Sequence, residues 1–217
     1  MKKFLGMQEY EWSTHQPLLK AVMELYKPAF VLELGMGDNS TPIFLNYKTK
    51  LLSVENDSEW INYMKNKYEN IDVIYHDLND QNIKLGTHLY ELTEIKKAEI
   101  ISYYQNLKFL DLKPNLLFVD QFTSCRTLSI NTLGDKFDMI IYHDCQPAGI
   151  PWYSYNLIKL DEFINYYLKT PASWTALMIK KDKDLGYEAL NNLMKLHIQE
   201  YKNKHFEAKF MELSYIY

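Results

Sequence analysis

At 217 residues, 47% of them apolar and 24% charged, the chain has the length and composition of one α/β domain with a full core. A net charge of −4 with no basic block leaves no electrostatic footprint for nucleic acid and favours a small or neutral substrate. No apolar run approaches the roughly 20 residues of a membrane helix, and two cysteines without paired spacing argue for a reducing, cytoplasmic setting. The N-terminal MKKFLGMQEYEW has two lysines but no apolar core behind them, against a secretory signal.

Residues 15–27 read as a helix behind a Ser13-Thr14 cap, with Leu18, Leu19, Val22, Leu25 and Tyr26 at helical spacing. Strand one, 30–35, runs into Gly35-Met36-Gly37 and a polar turn, and a helix covers 41–47. Strand two is 51–55, after which Asp57 or Ser58 caps a helix with Trp60, Ile61, Met64 and Tyr68 on one face. Strand three is 72–75, a longer helical stretch spans 88–109, strand four is 116–120, a short helix 124–133, and strand five 138–142. A helix at 154–169 (Leu157, Leu160, Ile164, Tyr167), strand six at 174–180, a helix at 185–203 and a last strand at 209–216 follow. Strands alternating with helices predict an α/β fold with a doubly wound, seven-stranded, mainly parallel sheet. Residues 1–217 are expected as a single domain, 1–28 its helical N-terminal segment and 29–217 its sheet core.

Ligands of such sheets bind beyond the carboxyl ends of the strands, near the point where strand order reverses. The first five strands all end in acids: Glu33, Glu55-Asn56-Asp57, His76-Asp77, Asp120-Gln121 and His143-Asp144-Cys145. Strand, glycine turn and helix start together bring a nucleotide-like ligand against backbone N–H groups. Glu33, two residues before Gly35, is out of place beside a pyrophosphate but suits a ligand with a cationic amino group and a sulfonium. Glu55 can take both ribose hydroxyls of an adenosine ligand, and Asp77 can accept from an adenine amino group. A nicotinamide dinucleotide is disfavoured because Ser40 stands where the third glycine of G-x-G-x-x-G belongs. Of the 24 basic residues Arg126 alone is arginine. A guanidinium fork holds a carboxylate or phosphate at two points as an ammonium cannot, so Arg126 is expected to hold an acidic group of the substrate.

LELGMGDNST followed by LLSVENDSEWINYM resembles the E-x-G-x-G-x-S-T and S-V-E-x-D-x-x-W pattern of one branch of the class I S-adenosylmethionine-dependent methyltransferases. The later Phe118-Val119-Asp120, Arg126 and Ile140-Ile141-Tyr142-His143-Asp144 follow that branch's order, so the similarity runs from residue 12 to 145. It implies a Rossmann-like methyltransferase fold with the last strand antiparallel. It also implies S-adenosylmethionine as cofactor, held by Glu33, Gly35, Gly37, Asn39, Ser40, Thr41, Glu55, Asn56, Asp77 and Asp120. The catalytic set becomes Asp120, Arg126, His143 and Asp144, with His143 or Asp144 as base toward a hydroxyl of a small-molecule or saccharide acceptor. Two departures stand out: Gln121 replaces a glycine, and Asp38-Asn39 stand where the family often has glycines, Asn tolerating left-handed angles.

A catalytic divalent metal is not expected. Asp120 and Asp144 match the magnesium ligands of catechol-type O-methyltransferases, but Cys145 stands where Asn would, and a thiol suits Mg²⁺ poorly. Cys125, His143 and Cys145 lack a compact zinc spacing. Trp152, Tyr153 and Tyr155 are placed to shape the acceptor pocket, and Trp12 to His15 to fold over the cofactor mouth. Two further readings are a non-catalytic cofactor-binding module and, less favoured, a nicotinamide-dependent oxidoreductase.

Overall fold

The computed structural model describes residues 13–69, 71–78, 83–84, 87–147, 149–205 and 211–216. Strands β1 (Phe30–Leu34), β2 (Lys50–Glu55), β3 (Asp72–Tyr75), β4 (Asn115–Val119) and β5 (Met139–His143) run parallel. Strands β6 (Phe163–Lys169), β7 (Thr175–Lys180) and β8 (Glu212–Ile216) extend them by antiparallel pairing in the order β3-β2-β1-β4-β5-β7-β6-β8. This is the doubly wound α/β sheet that alternating strands and helices predict. The chain builds outward from β1 to β3 and then returns to place β4 on the other side of β1. Strand order therefore reverses between β1 and β4.

Side chains alternate across the central strands, and both faces are covered, so β1, β4 and β5 are buried throughout. Phe30, Leu32 and Leu34 face α4 (Glu94–Asn106) and α5 (Arg126–Leu133), which contribute Ile100, Tyr104, Ile130 and Leu133. Val31, Phe118 and Ile141 face α1 (Gln16–Tyr26), α2 (Thr41–Asn46) and the long helix Tyr187–Lys204, which contribute Leu18, Val22, Phe44 and Met194. Period two then fixes what the strand ends offer: Glu33 and His143 share the second face, and His143 emerges beside the start of α1. Helix α3 (Ser58–Lys67) begins where Asp57 accepts from the Glu59 and Trp60 N–H groups, the cap read from sequence.

Three expectations are corrected. Residues 154–169 are no helix: a single 3₁₀ turn at Tyr155–Leu157 is followed by β6. The run FINYYLK is apolar and aromatic on both faces, so helical spacing can be counted in it, yet pairing with β7 and β8 wins. The described sheet accordingly has eight strands rather than seven. The last strand is antiparallel as expected and lies at the outer edge beside β6, while β7 is the antiparallel neighbour of β5. Helix α1 is preceded by His15, without a side-chain cap from Ser13 or Thr14, whose hydroxyls instead meet Tyr201 (2.7 Å) and His143 (3.1 Å). No described helix is long and apolar enough to cross a membrane.

Candidate functional site

At the switch point, the carboxyl ends of β1, β2 and β4 enclose a cleft of about 260 Å³. Gly35 and Met36 line it from β1, Glu55 and Asn56 from β2, and Asp120, Gln121, Phe122 and Thr123 from the turn after β4. Gly35 has φ +86°, and a Cβ there would lie 2.5 Å from the Asp120 carbonyl oxygen and 2.7 Å from Gln121 Cα. Glycine is what lets the first and fourth strand ends meet beside the cleft.

Glu55 is held on the cleft wall by backbone. Its Oε1 accepts from the N–H groups of Asn56 (2.7 Å) and Asp57 (3.0 Å), and its Oε2 from Met36 (3.1 Å). Burial raises its pKa in spite of these donors. Glu33 is a different kind of acid. It is 0% exposed, and its carboxylate accepts from Ser40 (2.6 Å), Thr41 (3.0 and 2.8 Å) and Ser53 (2.6 Å) hydroxyls. Ser53 is its register partner on β2, and Ser40 and Thr41 open α2, so one carboxylate ties two strands to the following helix. Burial lifts its pKa to about 7 against the pull of the three hydroxyls.

Beyond the cleft, the ends of β4 and β5 are joined through Arg126. Its Nη2 donates to Asp120 (2.8 Å), its Nη1 to Asp144 (3.1 Å) and to the His143 carbonyl (3.1 Å), and its Nε to the Gln121 carbonyl (2.7 Å). The Tyr153 ring lies under the guanidinium at 4.3 Å. Asp144, at φ +63°, also accepts from Tyr153 (3.1 Å) and Ser173 (2.8 Å), so both its oxygens are engaged. Burial opposes its ionisation, but His143 and Arg126 hold its pKa well below the carboxylate range. Asp120 behaves alike: burial is outweighed by Arg126 and then His143. Its side chain keeps 26% exposure, and Oδ2 faces His143 Nδ1 at 3.7 Å.

His143 is buried, with Nε2 at Thr14 Oγ1 (3.1 Å) and Nδ1 at 3.5 Å from Asp144. Its pKa is raised, since Asp144 and Asp120 together outweigh burial. Against it, ring centroids 4.9 Å apart, lies His15, which is 2% exposed. Neither His15 nitrogen has a partner at hydrogen-bond geometry among the described residues. Burial, and next His143, lower its pKa to about 4, and the Asn39 backbone pulls it up only weakly.

Of the cofactor residues expected from sequence, Gly35, Glu55, Asn56 and Asp120 line the cleft. Glu33, Ser40 and Thr41 are buried and turned on one another behind it. The Gly37 N–H donates to Thr41 Oγ1 (3.1 Å), Asn39 Oδ1 accepts from Gln16 (3.3 Å), and Asp77 is half-buried after β3, outside the described lining. The catalytic set Asp120, Arg126, His143 and Asp144 is brought together, and the Arg126 guanidinium, 7% exposed, has its donors on Asp120, Asp144 and backbone carbonyls.

Asp38 and Asn39 are not left-handed; Gly35 and Asp144 are. Asp38 pairs with Lys67 (2.9 Å) at the surface. Gln121 turns its amide to Tyr104 (2.6 Å) and Ser129 (2.8 Å), leaving its backbone on the cleft. Tyr153 and Tyr155 brace Arg126 and the His143 carbonyl, Trp152 is 59% exposed, and Trp12 lies outside the described residues. Sequence reasoning did not single out Met36, Phe122, Thr123 or Ser173, whose only sequence signal is adjacency to a strand-end acid or its packing partner.

No family model and no curated protein matches the chain. Solved structures similar to it include a methyltransferase from Geobacter sulfurreducens, at 9% identity and TM-score 0.47 over 82% of this chain and 92% of that one. Another is a methyltransferase-like protein from Silicibacter pomeroyi, at 13% identity and TM-score 0.47 over 89% and 96%. The N-methyltransferase NodS from Bradyrhizobium japonicum gives 10% and 0.46 over 79% and 96%. These likenesses say nothing of the site, which is read from its own geometry.

Proposed function

We propose that the protein is an S-adenosylmethionine-dependent methyltransferase acting on a hydroxyl of a small-molecule or sugar-like acceptor. The observation that carries this is Glu55, a carboxylate fixed by three backbone N–H groups on the wall of a switch-point cleft, with lone pairs left for a vicinal diol. The glycine turn supports a nucleoside without phosphates. Its N–H groups point inward: Gly35 donates to the Val54 carbonyl (2.8 Å), Met36 to Glu55 and Gly37 to Thr41. A pyrophosphate would find these donors taken, which weighs against the nicotinamide reading and corrects the expectation of N–H groups aimed at a ligand.

Glu55 and Asn56 would hold the ribose end, Gly35 and Met36 the middle, and the ionised Asp120 the cationic amino acid end. Glu33 contributes by bracing the turn. The cofactor supplies an activated methyl, so what remains for protein is to align the nucleophile. The acceptor hydroxyl belongs at the edge between Asp120 and His143, where the strand-end network reaches solvent.

A thermal-melt titration with S-adenosylhomocysteine, with NAD as control, tests the cofactor. At 100 times its dissociation constant a ligand adds about 2.7 kcal/mol, a shift of roughly a few degrees for a chain of this size. A saturable rise with S-adenosylhomocysteine alone supports the reading; a rise with NAD alone, or with neither, overturns it. Binding without turnover on any hydroxyl acceptor would leave a cofactor-sensing module.

A further inference from the structure

We propose that His15, Asp120 and His143 form a binding site for a single divalent transition-metal ion at the carboxyl end of the sheet. One ligand atom from each lies within 4.8 Å of the others. Donors bound to one tetrahedral ion at about 2.0–2.2 Å stand about 3.3–3.6 Å apart, so the three side chains must draw together by up to roughly 1.5 Å.

The pattern of hydrogen bonds singles out these three. Asp144 also lies at 3.5 Å from His143, but Ser173, Arg126 and Tyr153 occupy its oxygens. Asp120 gives Oδ1 to Arg126 and keeps Oδ2 toward His143. His143 is oriented by Thr14 at Nε2, which leaves Nδ1 on the carboxylate side; ligating imidazoles have their second nitrogen fixed by an outer partner in the same way. His15 adds the independent sign. It is buried, neither nitrogen has a partner at hydrogen-bond geometry among the described residues, and it packs against Phe118 (5.6 Å) and the edge of His143. An ion would satisfy one of its two nitrogens.

Two imidazoles and one carboxylate suit Zn²⁺, Fe²⁺, Co²⁺ or Ni²⁺, whereas Mg²⁺ and Ca²⁺ want oxygen. The donor set thus differs from the Asp120–Asp144 pair considered from sequence. Cys125 and Cys145, both buried, do not join His143 in a ligand group among the described residues. The ion would take the Asp120 oxygen that the methyl-transfer reading gives to the cofactor's amino group, so the two readings compete there, and metal binding is measured without cofactor or acceptor.

The test is a chelator-competition titration of the metal-depleted full-length protein with Zn²⁺, repeated with Co²⁺ to read its visible absorption. One equivalent of Zn²⁺ should bind, Co²⁺ should give the intense bands of a four- or five-coordinate ion, and millimolar Mg²⁺ should not compete. His15→Gln and Asp120→Asn should each weaken Zn²⁺ by more than the roughly 10–100-fold that follows loss of an outer partner, and His88→Gln should not. Should the His15 or Asp120 variant fail to fold, anomalous diffraction from native crystals soaked in Zn²⁺ decides: the peak must lie among the three side chains. No saturable binding, a peak elsewhere, or unchanged affinity in both folded variants overturns the proposal.

Discussion

Two glycines of one motif should respond in opposite ways to the same added methyl. At Gly35 an alanine must hold φ +86°, a left-handed conformation that costs an L-residue about 1–2 kcal/mol. Its Cβ would also sit 2.5–2.7 Å from backbone atoms of Asp120 and Gln121, which belong to a hydrogen-bonded turn and cannot swing aside as a side-chain tip can. Overpacking of that kind adds about 1–3 kcal/mol. Gly35→Ala should therefore lose about 2–5 kcal/mol. With m near about 2 kcal/mol/M, the urea midpoint falls by about 1–2.5 M. At Gly37 the nearest atom to a Cβ is Ser40 Oγ at 3.5 Å, and φ lies outside the left-handed region. Gly37→Ala should stay within about 1 kcal/mol of the parent, on the stabilising side if the smaller entropy of its unfolded chain dominates. Gly35→Asn separates the two costs, since Asn accepts left-handed angles but still carries a Cβ. A Gly35→Ala midpoint equal to the parent's at unchanged m, or an equal fall in both alanine variants, would refute the reasoning.

Glu55→Gln should weaken S-adenosylhomocysteine by roughly 10–100-fold in a calorimetric titration, because hydrogen bonds to a charged group are worth about 1.5–3 kcal/mol; an unchanged dissociation constant removes the ribose assignment. Arg126→Lys should cost about 2–4 kcal/mol by urea unfolding, as one ammonium cannot span Asp120 and Asp144 together and a half-buried carboxylate is stranded; a loss under about 1 kcal/mol would show the fork to be dispensable. Glu33 has its folded pKa raised, to about 7, above an unfolded value of 4.5. Its contribution is complete below the unfolded value and is lost as pH rises through the folded one. Relative to Glu33→Gln, the parent should thus lose about 3 kcal/mol between pH 4.5 and pH 8, and a flat difference would mean that the carboxyl stays ionised across that range.

What was legible in the sequence follows from how local each signal is. The acids after β1 to β5 could be placed because strands ending in polar residues are read from neighbours alone, and four of the ten residues named for the cofactor do line the cleft. Whether an acid looks outward or inward was not legible. Glu33 and Glu55 follow similar apolar runs, but Glu33 meets Ser53 across the sheet and two hydroxyls of the next helix, contacts fixed by register. The strand at Phe163–Lys169 was missed for the related reason that an apolar stretch satisfies two periods, and long-range pairing chooses between them. His15 carries no local signal of its own, because its meeting with His143 joins residues far apart in sequence.

A cluster of two half-buried carboxylates with a buried arginine and a buried histidine is poorly explained by stability, since well-packed apolar residues in its place would serve the fold as well or better. Its internal arrangement is uneven in an informative way. Asp144 accepts from three side chains and sits at φ +63°, a strain of about 1–3 kcal/mol for a residue with a Cβ. Arg126 is fixed on one side by Tyr153 and on the other by two backbone carbonyls. All of this rigidity surrounds one carboxylate oxygen of Asp120, which faces only His143 at 3.7 Å, and the imidazole of His15, which has no partner at hydrogen-bond geometry among the described residues. A structural brace would close on itself, as Glu33 does with its three hydroxyls. The strand-end cluster stops short of such closure where Asp120 meets the cleft, and that asymmetry is what sets it apart from the Glu33 brace.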